Sequence, residues 1–389
     1  MKQVIYLGSN GFPYGMAQIQ RQLYISKALS QAGYHVTVCS RKGVYRKHKN
    51  EYVSIPMSGS HQGIDFLFSS GVPFYQSNFL VRNLLKVVGF FGELGFIVGR
   101  KLSGNLDYLF VNTISLIDLK YYSVLSKLLR VDLVYDYVEQ VGELSVSTGS
   151  SKNFDSVFTK YCDRIIYISD QLLRNIVPSI PESKTLKIPP LTDFELFRKA
   201  EDDTNNSSAY FLYCGSAGYQ KVITFIIDAF DQIDDTQFEL RLIVNGSATD
   251  MNLIRQHILG SRKQQRINVL SGLPLDQLIY QYKGASAMLI PLRDTVQDKA
   301  RFPHKISEYL ATGNPLITTH IGEIDNYFVD NENALIADDF TVESYCEKMR
   351  LVIEHRQLAQ RIGVAGYGLG MRHFDFRCHS EPLQEFLSK

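Results

Sequence analysis

The sequence predicts an α/β protein of two doubly wound domains, each a mostly parallel sheet wrapped by helices. Three observations carry this. Short apolar runs alternate with helix-period segments across residues 1–190; the alternation restarts after the polar stretch EDDTNNSSA (201–209); and in each half a glycine-containing turn follows the first strand and precedes a helix. A parallel strand is covered on both faces, so it reads as a continuous apolar run rather than an alternating one. A chain of 389 residues is long enough for two separate cores.

The elements follow in order. Strand-like runs are VIYLG (4–8), HVTVCS (35–40), YVSIPM (52–57), DYLFVN (107–112), DLVYDY (132–137) and RIIYIS (164–169), with helical patterns at 15–32, 78–100, 115–129 and 153–162. The segment TLKIPPLTDFELF (185–197) ends this half, because Pro189–Pro190 breaks regular structure. The second half brings strands YFLYCG (210–215), ELRLIVNG (239–246), INVLSG (267–272), AMLIPL (287–292), PLITT (315–319) and ALIAD (334–338). Its helices are expected at 219–231, 249–260, 275–283, 303–312 and 341–354, and a last helix at 381–388. The expected division is 1–197, 198–375 and a C-terminal segment 376–389. Ligands of such sheets sit at the carboxyl ends of the strands, in the cleft that two such domains form.

Bulk properties narrow the function. Net charge is +1, with 45% apolar and 21% charged residues, so no overall field draws the chain to nucleic acid. Five scattered cysteines without a C-x-x-C fit a reduced, cytoplasmic protein. The N-terminal run MKQVIYLGSN is too short for a signal peptide or a membrane span. There is no Walker loop, no G-x-S-x-G and no zinc-ligand spacing among the histidines. The absence of a D-x-D makes a metal cofactor unexpected.

Several short segments carry candidate chemistry. In RFPHKISEYLATGNP (301–315), Pro303 suits a helix start, and Gly313 with Pro315 suits its end. Lys305 and Glu308 then share one face of a short helix, with Arg301 near its start. They read either as a solvated i, i+3 pair or as a phosphate-binding cation and a carboxylate that accepts sugar hydroxyls. GSNGFPYG (8–15), with Gly11 and Gly15, and CGSAGYQK (214–221), with Gly215, Ser216 and Lys221, each join a strand to a helix. Neither has the G-x-G-x-x-G spacing of dinucleotide binders, which speaks against a nicotinamide dehydrogenase. Each on its own also reads as an ordinary turn, and Lys221 as a surface lysine. LVYDYVE (133–139) brings Asp136 and Glu139 to a strand end, as acceptor-side acids or as helix caps. RKGVYRKHK (41–49) gathers Arg41, Lys42, Arg46, Lys47 and Lys49 without an acid, as a solvated loop or as a patch for anionic lipid or a phosphorylated acceptor. VVGFFGELGFIVG (87–99) contains Glu93 and reads as a core helix, although Arg82, Lys86, Arg100 and Lys101 flank it as they would an interfacial one.

Taken together and in order, these segments resemble the family 4 glycosyltransferases, retaining enzymes of the GT-B fold, in their bacterial polysaccharide and cell-envelope forms. GFPYGMAQIQRQLYISKALSQAGYHVTVCSRK is similar to the family's opening, and CDRIIYIS with LKIPPLTDFELF to the pair that closes its first domain. RFPHKISEYLATGNPLITTHIGEI is similar to its donor-site block, the most specific of the matches. The resemblance implies transfer of a sugar, with retention of configuration and without metal, from a nucleoside-diphosphate sugar to a glycan or lipid-linked acceptor.

By the same resemblance, Lys221, Lys305 and Arg301, with the backbone at Gly215–Ser216 and near Pro303, would meet the diphosphate. Glu308 would hold the ribose, and the loop Ser271, Gly272, Leu273 would border the base. Gly11 to Gly15 would face the donor, and Glu139 and Asp136 the acceptor. Ala300 stands where the family usually has a first glutamate, Ser216 where it often has an arginine, and Val138 near its usual histidine. A non-catalytic subunit of the same shape, binding an acceptor or a partner transferase, is the alternative that Ala300 and Ser216 favour. A cytoplasmic location with peripheral contact at the inner face of the plasma membrane, through residues 41–49, is the accompanying expectation.

Overall fold

The computed structural model describes residues 2–15, 17–43, 55–74, 76–104, 106–141, 153–200, 209–234 and 237–389. The chain divides into two compact units, Met1–Leu191 with Phe376–Lys389, and Thr192–Asp375.

The first unit is built on β1 (Gln3–Leu7), β2 (His35–Ser40), β3 (Ser58–His61), β4 (Ile64–Phe68), β5 (Tyr108–Val111), β6 (Asp132–Tyr137), β7 (Arg164–Tyr167) and β8 (Thr185–Lys187). They lie in the order β3-β4-β2-β1-β5-β6-β7-β8. Every pairing is parallel except that of β3 with β4. The interior strands β1, β5 and β6 are buried at almost every position, the burial expected of strands covered on both faces.

The run YVSIPM, expected as a strand, is described only at 55–57, and those residues are not strand. The strand begins at Ser58 and returns as β4 through Gln62–Gly63, both at positive φ. The edge strand β3 escapes a search for apolar runs because its residues, SGSH, are polar and partly exposed. The C-terminal helix Ser380–Ser388 completes the core with Leu383, Phe386 and Leu387. Tyr108 donates its hydroxyl proton to the Leu387 carbonyl at that helix's end.

The helix Phe79–Leu102 departs from the expected core helix. Its buried residues are Gly89, Glu93 and Ile97, whereas Leu80, Leu84, Val87 and Phe91 face outward. Among the described residues, no helix is long and apolar enough to cross a membrane.

The second unit contains β9 (Tyr210–Ser216), β10 (Glu239–Asn245), β11 (Ile267–Leu270), β12 (Ala287–Leu289), β13 (Leu316–Thr319) and β14 (Leu335–Ala337). They form one parallel sheet in the order β11-β10-β9-β12-β13-β14. Counted within the unit this is 3-2-1-4-5-6, the doubly wound order whose direction reverses between its first and fourth strands. The unit starts at Thr192, so the helix Phe194–Lys199 belongs to it, and the division falls before rather than at 197/198. The reason is local. Thr192 N donates to Phe374 O at 2.9 Å, and Phe194 N to an Asp375 oxygen at 3.3 Å, which fastens this segment to the end of the long helix Arg356–His373.

Candidate active site

The reversal point of the second sheet lies between β9 and β12, so the chain leaving their carboxyl ends forms a natural crevice. Beyond β9, Tyr219 N donates to Ser216 O (3.1 Å) and Gly218 N to Ser216 Oγ (3.2 Å), which closes a tight turn. Lys221 follows in the first turn of the helix Gln220–Asp231, with its side chain exposed. Asn245, the last residue of β10, ties two neighbouring loops to this one. Its carbonyl accepts from Ala217 N and its side-chain oxygen from Gly272 N, both at 2.9 Å. Gly272 sits at φ +67°, where a side chain would be strained. Gly215, Ser216, Ser271, Gly272 and Leu273 are therefore parts of one linked rim.

Beyond β12 the chain runs through Arg293 into the helix Val296–Ala300, capped by Thr295, whose hydroxyl accepts from Asp298 N. Asp298 is fully buried, and two arginines converge on it. Arg293 donates its backbone N–H (3.0 Å) and its Nε (2.9 Å) to Oδ2, and Arg301 reaches Oδ1. Arg301 also donates to the Tyr219 hydroxyl and lies 4.5 Å from the centre of the Tyr219 ring. This ring couples the loop beyond β9 to the segment beyond β12. Sequence reasoning missed Asp298, Arg293, Tyr219 and Asn245. The signals that were present are an Asp one turn into a Thr-capped helix and an Asn at a strand end.

Pro303 caps the next helix instead of lying in its first turn, and the helix His304–Leu310 is shorter than the expected 303–312. Gly313 takes φ +78° just beyond it. Tyr309, fully buried, accepts from Cys214 N at 2.8 Å and donates to Cys214 O at 3.3 Å, which pins the helix to the end of β9. On the same helix the Lys305 ammonium lies 2.7 Å from Glu308 Oε2, both side chains half-buried. Burial pushes the Cys214 thiol up, and the Lys305 ammonium opposes that rise, as its proximity requires. The expected residues Gly215, Ser216, Lys221, Ser271, Gly272, Leu273, Arg301, Pro303, Lys305 and Glu308 thus all border one end of one sheet. Ala300 is buried.

In the first unit, Gly11 and Gly15 lie in the loop after β1, where Tyr14 N donates to Gly11 O at 2.9 Å. Glu139 follows β6 and is half-buried. Asp136, expected on the acceptor side, is turned into the core. Its carboxylate is buried, takes the Tyr6 hydroxyl at 2.6 Å and is paired with Arg21 at 2.9 Å. Arg21, equally buried, also donates to the carbonyls of Ile188 and Pro189. Asp136 is thus the anchor of a buried network that holds the chain after β8 against β6.

Of the basic patch, Arg41 and Lys42 lie among the described residues. Arg41 is bound to the buried Glu93 (Nε–Oε1, 2.8 Å) and to Asp118 (2.7 Å), with the rings of Phe90, Tyr121 and Tyr122 around its guanidinium. It is a structural cation. The Lys42 backbone donates to Asn10 Oδ1. Arg46, Lys47 and Lys49 lie outside the described residues.

Comparison with known proteins agrees with this architecture. Residues 195–368 match the family model described as "Glycosyl transferases group 1". No curated protein matches the chain. Among solved structures, sucrose-phosphate synthase from Thermosynechococcus elongatus superposes with a TM-score of 0.72 at 16% identity, covering 100% of this chain and 98% of that one. Anabaena HepE, solved with UDP and glucose, gives 0.72 at 15% identity, covering 100% of both chains. A glycosyltransferase from Rickettsia africae gives 0.69 at 13% identity, covering 100% and 98%. The two parallel α/β units are those of the GT-B fold, and the second is similar in sequence to the group 1 glycosyl transferases.

Proposed function

We propose that the protein is a glycosyltransferase that moves a sugar from a nucleoside-diphosphate sugar to a glycan or lipid-linked acceptor, with retention of configuration. The observation that carries this reading is the cluster of Arg293, Arg301, Lys305 and Glu308 at the reversal point of a 3-2-1-4-5-6 sheet. The match of residues 195–368 to a glycosyltransferase family supports it.

The chemistry follows from the charges. Cleavage of the donor leaves a nucleoside diphosphate, on which negative charge grows in the transition state, so fixed cations there lower the barrier. Asp298 holds the two arginine heads in place before any ligand arrives. Lys305 and Lys221 add mobile cations. Glu308 accepts the ribose hydroxyls, and the rim at Ser271–Leu273 borders the base. Glu139 acts on the acceptor. HepE was solved with UDP and glucose, which makes UDP-sugars the first donors to try.

The test is release of nucleoside diphosphate by pure protein from UDP-, GDP-, ADP- and CMP-sugars, with and without chelator. NMR of the product reads the anomeric configuration. Turnover that survives chelation and retains the configuration is the expected result. A second reading, a non-catalytic subunit of the same fold, is favoured by Ala300, which leaves no carboxylate at that position. Donor binding without turnover on any acceptor would select it.

A further inference from the structure

The helix Phe79–Leu102 is built inside out. Its inward face carries Gly89, Glu93 and, near its end, Ile97. A Cβ at Gly89 would stand 2.5 Å from Arg41 O, and one at Gly92 2.2 Å from Ser69 O, so the helix lies hard against the chain leaving β2 and β4. Glu93 reaches inward to Arg41, and Tyr122 donates its hydroxyl to it. Four large apolar side chains of its first half point away. Leu80 is 75% exposed, Leu84 64%, Val87 54% and Phe91 63%. Their spacing of four, three and four makes one continuous stripe, roughly 16 Å along the axis. A solvated helix places its charges on this face, and a core helix turns its Leu and Phe inward.

Beside the stripe is a cavity of about 300 Å³, lined by Lys42, Arg82, Leu85, Lys86 and Arg41 among others, and by no carboxylate among the described residues. Arg82 and Lys86 come from the same helix as the stripe. Apolar side chains beside cations that can reach phosphate are the composition of a helix lying in a lipid interface.

The geometry points to this face as a docking surface for a bilayer containing anionic phospholipid. The helix Phe79–Leu102 lies in the interface plane, Leu80, Leu84, Val87 and Phe91 enter the acyl boundary, and Lys42, Arg82 and Lys86 take headgroup phosphates. The inference does not depend on the transferase reading, since none of these residues belongs to the cluster at the second sheet. It adds a helix to Lys42 of the loop 41–49, where membrane contact was expected.

The chain contains no tryptophan, so one introduced indole reports alone. The full chain with Leu84→Trp is mixed with vesicles of phosphatidylglycerol and phosphatidylcholine, and with phosphatidylcholine alone. Leu259→Trp, at an exposed position on the helix Ala248–Gly260 of the second unit, is the control. The expected result is a blue shift for Leu84→Trp on the anionic vesicles only, diminished by salt, and none for Leu259→Trp. In co-sedimentation, Arg82→Ala with Lys86→Ala should lower vesicle binding at least tenfold, and Leu84→Glu should abolish it, with melting temperatures unchanged. No shift, or an equal shift on phosphatidylcholine alone, overturns the proposal. A blue shift without vesicles that fades on dilution also overturns it, because a second copy of the chain would then cover the face.

Discussion

Lys305 and Glu308 hold one another across 2.7 Å on a single turn of the helix His304–Leu310, with 27% and 15% of their side chains exposed. A free surface pair of this spacing contributes a few tenths of a kcal/mol. Here the helix is pinned by Tyr309 to the last residues of β9, at the reversal point of the sheet. In the proposed reading, donor binding separates the pair, the ammonium turning to the diphosphate and the carboxylate to the ribose. The Lys305 interaction then strengthens as charge grows on the leaving group. Lys305→Ala is expected to lower kcat more than it raises the donor Kd, with little change in melting temperature. Equal kinetics for wild type and variant would return the pair to a surface role.

Asp298 gives a prediction about support rather than contact. It is fully buried between Arg293 and Arg301. Asp298→Asn keeps the shape but leaves two poorly solvated cations uncompensated, and breaking a buried pair costs about 3 kcal/mol. Urea unfolding should register that loss, and the folded variant should bind donor more weakly because Arg301 is no longer fixed. Unchanged stability together with unchanged donor affinity would contradict this assignment.

Asp136 is buried and paired with Tyr6 and Arg21, which makes it a support of the fold. Asp136→Asn should therefore lower the unfolding free energy by about 3 kcal/mol while the folded fraction keeps its kcat. A variant that melts like the wild type but has lost turnover would restore a catalytic part for this acid.

How much was legible in the sequence follows from what each feature depends on. The interior strands were read from their apolar runs, since burial on both faces leaves no room for polar residues; DLVYDY marks β6 at the residues where it is found. The polar edge strand Ser58–His61 gave no such signal, because an edge needs hydrogen bonds but not apolar side chains. The helix Arg356–His373 was not anticipated, since its glycines lower helix propensity. Its reason is tertiary: a Cβ at Gly363 would stand 2.3 Å from Gly313 O. In the candidate site, Lys305, Glu308 and Arg301 were found from one local block. Asp298 and Tyr219 were not, because their importance lies in contacts with Arg301 that chain order does not reveal. Arg41 misled for the same reason, its partners Glu93 and Asp118 being far along the chain.

Glu93 links stability to pH. Burial raises its pKa above the ordinary 4.5, and the Arg41 guanidinium opposes that rise. The folded chain therefore keeps this proton to a higher pH than the unfolded chain. The stabilisation from the neutral form is complete below about 4.5 and is lost as pH rises through the folded-state value. Glu93→Gln cannot ionise, so its stability relative to wild type should improve as pH is raised from 4 towards 7 in urea titrations. A constant difference across that range would mean that Glu93 titrates alike in both states.

In the proposed reading, the end of the second sheet binds a nucleoside diphosphate through Glu308 and its neighbours. Calorimetric titration of the full chain with UDP, GDP, ADP and CMP, repeated on Glu308→Gln, tests it most directly. Charge-assisted hydrogen bonds contribute roughly 1.5–3 kcal/mol each. At least one nucleotide should bind the wild type, and the variant should bind it about 10–100-fold more weakly, the contribution of about one such bond, at an unchanged melting temperature. No binding by any of the four, or equal affinity for wild type and Glu308→Gln, would contradict it.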